Sequence, residues 1–565
     1  LEFGTYLDQI LNNTKETMAK LVYFGDKANK GIRTGVDLIA NAVKTTLGPR
    51  GRYVGIHKKY GAQHMTKDGV TVAKEIDSKD PLVDFAIKTI REAASKTADI
   101  AGDGTTTATV LAQAIYNYGL KYVSAGANAV SVQRGLQKAS HAVTDLVMAN
   151  AQQISDKDLE QLERVATISA NNDSEMGKTI AEVVSKVGKE GVVTVEESQG
   201  VGILTEYVEG MQVDRGFVSP YFVTDSARME AVVEDAYVLI TDQKISSIKT
   251  ILPIIEKMME AGSKNMVIIA DDVDGDAMTN LVVNKMRGVF NIVAIKSPGF
   301  GDRKKELLQD IAVLTGATVI SEELGRKLDE NVELTDLGQV RRFVADKDNS
   351  IFIEGKGDTA AIEERINQIK NVLSNTTSDY DREKLQERLA KLTGGVAVVK
   401  VGATTEVEMK EVKDRIDDAI HATKAALDGG IVAGGGVAYV NALAGLENVI
   451  LEGDEALGKD ILRKALREPM RQILINAGVD SPDKIVAECE EAGLGFGYDA
   501  LNGKSKVDMI KSGIIDPAKV VREAIENAVS VSSQLLATQA IIVDEPEEAK
   551  APVSAGAGMD EDMMM

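Results

Sequence analysis

Tryptophan is absent from this sequence, and a single cysteine, Cys489, stands among its 565 residues. One thiol cannot build an internal disulfide framework, and such sparing use of cysteine is consistent with a reducing compartment. The four histidines, His57, His64, His141 and His421, show no paired zinc spacing. No GxSxG nucleophile elbow occurs and no catalytic motif surrounds Cys489, so covalent catalysis has little support. There is no apolar run of about eighteen residues, so no transmembrane helix is expected. Basic residues are outnumbered: 65 Lys and Arg against 87 Asp and Glu leave a formal charge of −22. That balance argues against a general nucleic-acid binder, which needs a basic face. Aromatics make up only 4%, so Ala, Val and Ile must do most of the packing.

What is present is ordinary for a soluble globular chain, with 44% hydrophobic and 27% charged residues. Fifty glycines imply many tight turns. The length exceeds one compact core, and two to four domains are expected. Residues 1–17 lack both the apolar core of a signal peptide and the arginines of a transit peptide, and Asp8 and Glu16 count against organelle import. MAKLVYFG from Met18 is the better start, and residues 1–17, headed by a Leu-Glu-Phe that resembles a cloning scar, are read as a non-native extension.

Ile32, Val36, Ile39, Ala40 and Val43 recur at helical spacing, and the helix should stop at TLGPRGR, Thr46 to Arg52. A short strand near Tyr53–Ile56 precedes the turn-and-helix TKDGVTVAKEI, and helical patterns continue to about Asn150. From Gly191 the texture changes to GVVTVEE, GILTEYVEG, AYVLITD, NMVIIADD and NIVAIKS, strand-like runs separated by helices. Residues 360–395 read as a charged helical pair, GGVAVVKVG as a strand, and the chain after Glu406 as helical to about Leu536. The acidic, Met-ended segment 544–565 reads as a disordered tail. Helical, then mixed, then helical admits two topologies: three domains in series, or one helical domain interrupted by an insertion.

GDGTTTATVLAQAIYNYGL, Gly102 to Leu120, carries the chemistry. Three β-branched threonines open a helix poorly on propensity, but the first N–H groups of a helix have no partner and attract anions. Gly102-Asp103-Gly104 with Thr105, Thr106 and Thr107 can cradle phosphates, and Asp103 can hold Mg²⁺ or orient a water. Lys67-Asp68-Gly69, Gly434-Gly435-Gly436 and the GIIDP segment ending at Asp516-Pro517 are further glycine corners with carboxylates nearby. NGKS, Asn502 to Ser505, is no P-loop, because Gly497 lies one residue too far upstream. Gly493-Leu-Gly-Phe-Gly lacks the strand–helix context of a dinucleotide fingerprint. A non-P-loop nucleotide site remains.

TTLGPRGR, TKDGVTVAKEI, AGDGTTTATVLAQAI, ATISAN, RGFVSPYF, LVVNKMRG, SPGFGDRKKE, EVEMKEVKDRIDDAIHATKAA, VAGGGVA and GIIDPAKV together resemble the group I chaperonins. This is the family of bacterial GroEL and the mitochondrial sixty-kilodalton heat-shock protein. The resemblance runs from Met18 to about Val543. GDGTTT is shared with group II, whereas PGFGDR and FGDKANKGI favour group I.

The resemblance implies a multidomain α + α/β fold. A helical equatorial domain is built from both chain ends (18–150 and 429–543), and an α/β apical domain is inserted (209–396). A hinge-like intermediate domain takes 151–208 and 397–428. It further implies a homo-oligomeric ring of seven subunits, commonly two rings back to back, a lid of small co-chaperonin subunits, and non-native protein clients. Neither nucleic acid nor membrane is an expected partner. The bacterial cytoplasm is the expected location, with an organelle matrix as the alternative.

The same resemblance assigns residues. Thr46, Leu47, Gly48 and Pro49 match the nucleotide loop, with Lys67 beside it; Asp103 matches the Mg²⁺ ligand, and Gly104, Thr105, Thr106 and Thr107 the phosphate cradle. K⁺ is a further candidate cation. Asp68 matches an acidic residue beside the γ-phosphate, and Asp418 the carboxylate that positions the attacking water. Gly435, Asp499, Ala500 and Asp516 match positions around adenine and ribose. Asp499 stands where an asparagine is expected, and Leu501 where a small residue is. Phe217, Tyr221, Phe222, Leu252, Ile255, Met278, Val282 and Val283 match the apolar client surface, Met278 replacing a leucine. The tail departs from the family's Gly-Gly-Met repeats. Two other readings compete: a monomeric phosphotransferase, for which no acceptor site is visible, and a client-binding ring without turnover, against which Asp68, Asp103 and Asp418 all argue.

Overall fold

Ile32, Val36, Ile39, Ala40 and Val43 share one face of the helix Gly25–Val43 and are completely buried, as their spacing predicts. The helix stops in the 3₁₀ turn Lys44–Thr46, and Gly48 follows with a φ of 85°. In this computed structural model the described residues are 20–544, apart from 59–62, 190, 199, 227, 324, 329–331 and 377. The expected extension 1–17 and everything after Asp544 lie outside them.

Two compact units result. The first collects residues 20–154, 164–177 and 421–544, so both ends of the described chain belong to it. Its helices Pro81–Ala101, Thr105–Ser124 and Ala129–Ala149 pack against the C-terminal helix Ala518–Ala537. That last helix is buried on nearly every side, so its polar residues need internal partners. Asn527 Nδ2 donates to Thr97 Oγ1 at 3.0 Å, and Ser532 Oγ donates to the Ala112 carbonyl at 3.0 Å. Either group left unmet would cost about 1–3 kcal/mol. The strand Lys20–Phe24 pairs antiparallel with Ala540–Asp544, Lys20 opposite Asp544. Asp544, expected in the tail, is therefore the last residue of a strand that buries Ile541 and Val543.

The second unit holds residues 155–163 and 178–420. Its larger sheet runs Asn291–Lys296, Asn265–Ala270, Ala231–Ile240, Gly338–Ala345, Ser350–Gly355, Gly210–Val213, parallel across the first three strands and antiparallel beyond. NMVIIA is the uninterrupted apolar run of a strand covered on both faces, and all of it but Asn265 is buried. Phe343 and Phe352 sit opposite each other across two strands with ring centroids 5.1 Å apart, a tilted pair in a chain that has few aromatics. A smaller sheet has Val396–Gly402 at its centre, parallel to Val192–Glu197 and antiparallel to Gly202–Val208. The charged helical pair is Thr359–Asn375 and Asp379–Thr393, clamped to the helix Asp302–Thr315 by ion pairs. Asp310, with no exposed surface, accepts from Arg365 Nε at 2.7 Å and from both Nε and Nη2 of Arg388.

The expected hinge segments, 151–208 and 397–428, are shared between the two units. Beyond Glu406 the chain is less purely helical than its pattern suggests. Short strands interrupt it at Ile431–Ala433, Phe496–Asp499, Lys504–Asp508 and Ile515–Pro517, because glycine corners and Asx turns break the helical run there.

Candidate functional site

The helix Pro81–Ala101 ends on Gly102, whose φ of 72° is left-handed. A Cβ at Gly102 would stand 2.1 Å from His421 Cβ, so only glycine fits. Asp103 and Gly104, φ 84°, complete the corner, and Gly104 is the N-cap of the helix Thr105–Ser124 with no side chain capping it. The first-turn N–H groups of Thr105, Thr106 and Thr107 thus have no partner within the helix and no side-chain cap, so they are available to an anion or to water. Asp103 accepts from the Gly104 N–H and from the Ser169 hydroxyl at 3.0 Å. Burial nevertheless raises its carboxyl pKa above the usual range, opposed by those two bonds and reinforced by the charge of Asp68. A desolvated carboxylate that also feels the charge of a second one favours a cation beside it.

Two loops close on the corner. Asp68 is the N-cap of the helix Gly69–Lys74, accepting from the N–H groups of Val70 and Thr71 at 3.0 and 2.8 Å and from Thr71 Oγ1 at 2.6 Å. A Cβ on Gly69 would come within 2.2 Å of Thr106 Oγ1. Thr46 Oγ1 lies 3.3 Å from the same hydroxyl. The Thr46–Pro49 loop is held by Asn476, whose Nδ2 donates to the Lys44 and Leu47 carbonyls at 2.9 and 2.8 Å. Arg50 Nη2 ties it to the Leu501 carbonyl at 3.0 Å. Lys67 lies over the Tyr53 ring, 4.9 Å from its centroid.

On the third side the strand Ile431–Ala433 pairs Val432 with Asp516. Burial, and secondarily the charge of Asp103, push the Asp516 carboxyl up to about 7. Met509 touches both glycine corners: a Cβ on Gly435 would be 2.9 Å from its Cε, and one on Gly497 would be 2.8 Å from its sulfur. Gly497 belongs to the strand Phe496–Asp499, which leads to Asp499 and Ala500, both buried. Asp499 spends its carboxylate on its own turn. It accepts from the N–H groups of Leu501 and Asn502, each at 3.0 Å, and from Asn502 Nδ2 at 2.8 Å. Burial opposes the charge, yet these bonds and Lys504 hold its carboxyl below the usual range. An asparagine here would turn one donor face toward Asn502, which is why the carboxylate suits this turn.

The donor set fits a hydrated hard cation beside a polyphosphate. No cluster of three or more His, Cys, Asp or Glu side chains able to hold a metal exists among the described residues. A carboxylate pair with threonine hydroxyls and uncapped helix N–H groups could hold Mg²⁺ with phosphate, since that ion keeps waters and takes phosphate oxygens as ligands. A model of the TCP-1/cpn60 chaperonin family matches residues 39–546. The chain belongs to this family. It is accordingly a protein-folding chaperone, of a family whose members are ATPases and assemble into oligomeric rings around client proteins. Among the described residues no helix is long and apolar enough to cross a membrane.

A chaperonin must also show clients an apolar surface, and the second unit divides the eight expected residues. Tyr221, Leu252 and Val283 are exposed; Phe217, Met278 and Val282 are half-buried. Phe222 and Ile255 are core residues, 0% and 2% exposed, and this corrects their assignment to the surface. The helix Leu252–Glu260 turns Ile254, Ile255 and Met258 inward, leaving Leu252 and Met259 outside. Phe222 closes a 3₁₀ turn over the core, where its carbonyl accepts from Lys285 Nζ at 2.7 Å. Burial lowers the pKa of that lysine to about 8. Met286, 73% exposed and one turn beyond Val283, extends the apolar face and was missed. Helical spacing from Val283 is the signal that finds it. Ser169, within ATISAN, is the other omission; nothing in the sequence ties it to Asp103. Asp418 lies in the second unit on the helix Glu406–Gly429, beside Asp417, which forms an ion pair with Arg228.

Proposed function

We propose that this chain is a group I chaperonin, an ATP-driven folding chamber that captures non-native proteins on the apolar face of the second unit. FGDKANKGI and PGFGDR support group I over group II. In this reading the chain forms rings of seven, commonly paired, closed by a lid of small co-chaperonin subunits that competes with the client for the Tyr221–Leu252–Val283 surface. Non-directional apolar contact suits clients that share exposed hydrophobic surface and no common sequence.

The observation that carries the nucleotide site is the convergence of Thr46 and Gly69 on the Thr106 hydroxyl at the uncapped start of a helix, beside Asp103 and Asp68. The N–H groups and hydroxyls of Thr105, Thr106 and Thr107 would hold phosphate oxygens, and Asp103 would hold Mg²⁺. When bound, the ion supplies charge neutralisation on the phosphates. Asp68 stands beside the terminal phosphate. Asp418 orients the attacking water, and no covalent enzyme intermediate is needed.

Asp418→Ala tests this assignment. It should bind ATP as the parent does and hydrolyse it slowly, measured by nucleotide titration alongside phosphate release. Loss of binding, or unchanged turnover, would contradict the role. Light scattering with and without Mg²⁺-ATP tests assembly: a mass of seven or fourteen subunits is expected, and a persistent monomer removes the enclosed chamber.

A further inference from the structure

His421 has no part in the site as read from sequence. It lies on the helix Glu406–Gly429, which also carries Asp418, and within the first unit it packs on the phosphate corner itself. A Cβ built on Gly102 would stand 2.1 Å from His421 Cβ, 2.6 Å from its Cγ and 3.0 Å from its Nδ1. The root of the imidazole therefore rests on bare backbone, one residue before Asp103. One turn further along the helix, Ala425 is buried with Ala101 and Val520. Val520 in turn closes on Gly104, where a Cβ would be 2.6 Å from its Cγ1. Asp103 thus stands between two glycines, one pressed by His421 and the other by Val520.

A helix that meets its neighbour through glycine and alanine approaches closely, and close packing then leaves it little room to slide. Asp418 precedes His421 by three positions on this unbroken helix. Side chains so spaced leave the same face with Cβ atoms about 5–6 Å apart. By its contacts His421 belongs to the first unit and Asp418 to the second, so the helix itself is the rigid link between them. Whatever seats His421 on Gly102 also fixes the reach of a carboxylate one turn away.

We propose that His421 is a positioning residue for ATP hydrolysis. Seated on Gly102, its imidazole sets the register of the helix Glu406–Gly429 against the phosphate corner, and with it the point from which Asp418 addresses the attacking water. This rests on the nucleotide reading above and deepens it. The role is one of shape, carried by Cβ, the planar Cγ and Nδ1, rather than of proton transfer.

The test is steady-state ATP hydrolysis by the full chain in Mg²⁺, with nucleotide affinity titrated separately. His421→Ala removes the ring, and turnover should fall about ten- to hundredfold, the cost of a misplacement near 1 Å, while ATP affinity holds. His421→Asn keeps a planar Cγ with a nitrogen at the Nδ1 position and should restore most of the turnover. Unchanged turnover in His421→Ala overturns the proposal. So does an equal loss in both variants, which would give the ring a proton to carry. A matching loss of affinity overturns it too, because His421 would then support the phosphate corner alone. Should His421→Ala melt earlier than the parent, His421→Gln decides in its place. It keeps the volume but moves the planar group one bond outward, so turnover should fall, and parental turnover overturns the proposal. A parent that binds no ATP, or an Asp418→Ala that hydrolyses it normally, sinks the underlying reading before any His421 variant is compared. A slow Asp418→Ala beside a fast His421→Ala sinks the role of His421 alone.

Discussion

Asp310 is the most exacting place to perturb the second unit. Its carboxylate is wholly buried and engages Arg365 and Arg388, whose side chains are 13% and 12% exposed. Both guanidiniums also reach Glu306 Oε2, at 2.7 and 2.8 Å, but Glu306 is half-exposed. Asp310→Asn keeps the volume, removes the charge, and turns an amide donor toward guanidinium donors. Breaking a buried ion pair from one side costs about 3–5 kcal/mol. Glu306 still balances part of the charge, so the low end, about 3 kcal/mol, is expected, or roughly a hundredfold in a local opening equilibrium. Hydrogen exchange is the suitable assay, because a chain of two compact units need not unfold in one step. Amides of Asp302–Thr315, Thr359–Asn375 and Asp379–Thr393 should lose about that factor of protection, while Ala518–Ala537 in the first unit keeps its own. Replacing Asp310 by Leu together with both arginines by Met should restore much of the loss, since apolar packing substitutes for buried charge. Protection unchanged within about twofold in Asp310→Asn, or lost equally in both units, would refute the reasoning.

Gly69→Ala should leave the helix Gly69–Lys74 stable but displace the Thr106 hydroxyl, 2.2 Å from the new Cβ, and weaken nucleotide binding about tenfold or more; preserved affinity would count against the cradle. Tyr221→Ser should reduce capture of a denatured protein, read as lost suppression of its aggregation, without changing the melting point. Phe222→Ser, one residue on but in the core, should destabilise the unit by about 3–5 kcal/mol, and equal behaviour of the two variants would sink the division drawn between them. Burial raises the Cys489 thiol from about 9 to about 11. Because its folded pKa is raised, its stabilising contribution is full below about 9 and is lost as the pH climbs toward 11. At pH 8 the native thiol should resist iodoacetamide and label only in denaturant, whereas rapid native labelling would contradict its burial.

Much of this architecture was legible because short-range periodicity carries it. The apolar face of Gly25–Val43, the NMVIIA strand and the charged helical pair each follow from spacing within one element. GDGTTT reads as a candidate anion site for a similar reason: the unpaired N–H groups of a helix start are a property of the local backbone. Met286 lay within reach of the same logic. Ser169 did not, because its hydroxyl meets Asp103 across 66 positions of chain.

What the sequence by itself determined, then, is the long periodic helices and the apolar strands, together with a glycine–threonine corner whose residue types suit phosphate and a hard cation. Burial was decided by tertiary structure alone. Tyr221 and Phe222 are adjacent aromatics, and only the fold around Pro220–Phe222 sends one to solvent and the other to the core. Asp499 and Asp516 are both carboxylates next to turns, yet one is held ionised by donors in its own loop and the other is pushed toward neutrality by burial and by Asp103. Solvation and field at an atom are set by whatever the folded chain brings within a few ångströms, and most of those neighbours are remote in sequence.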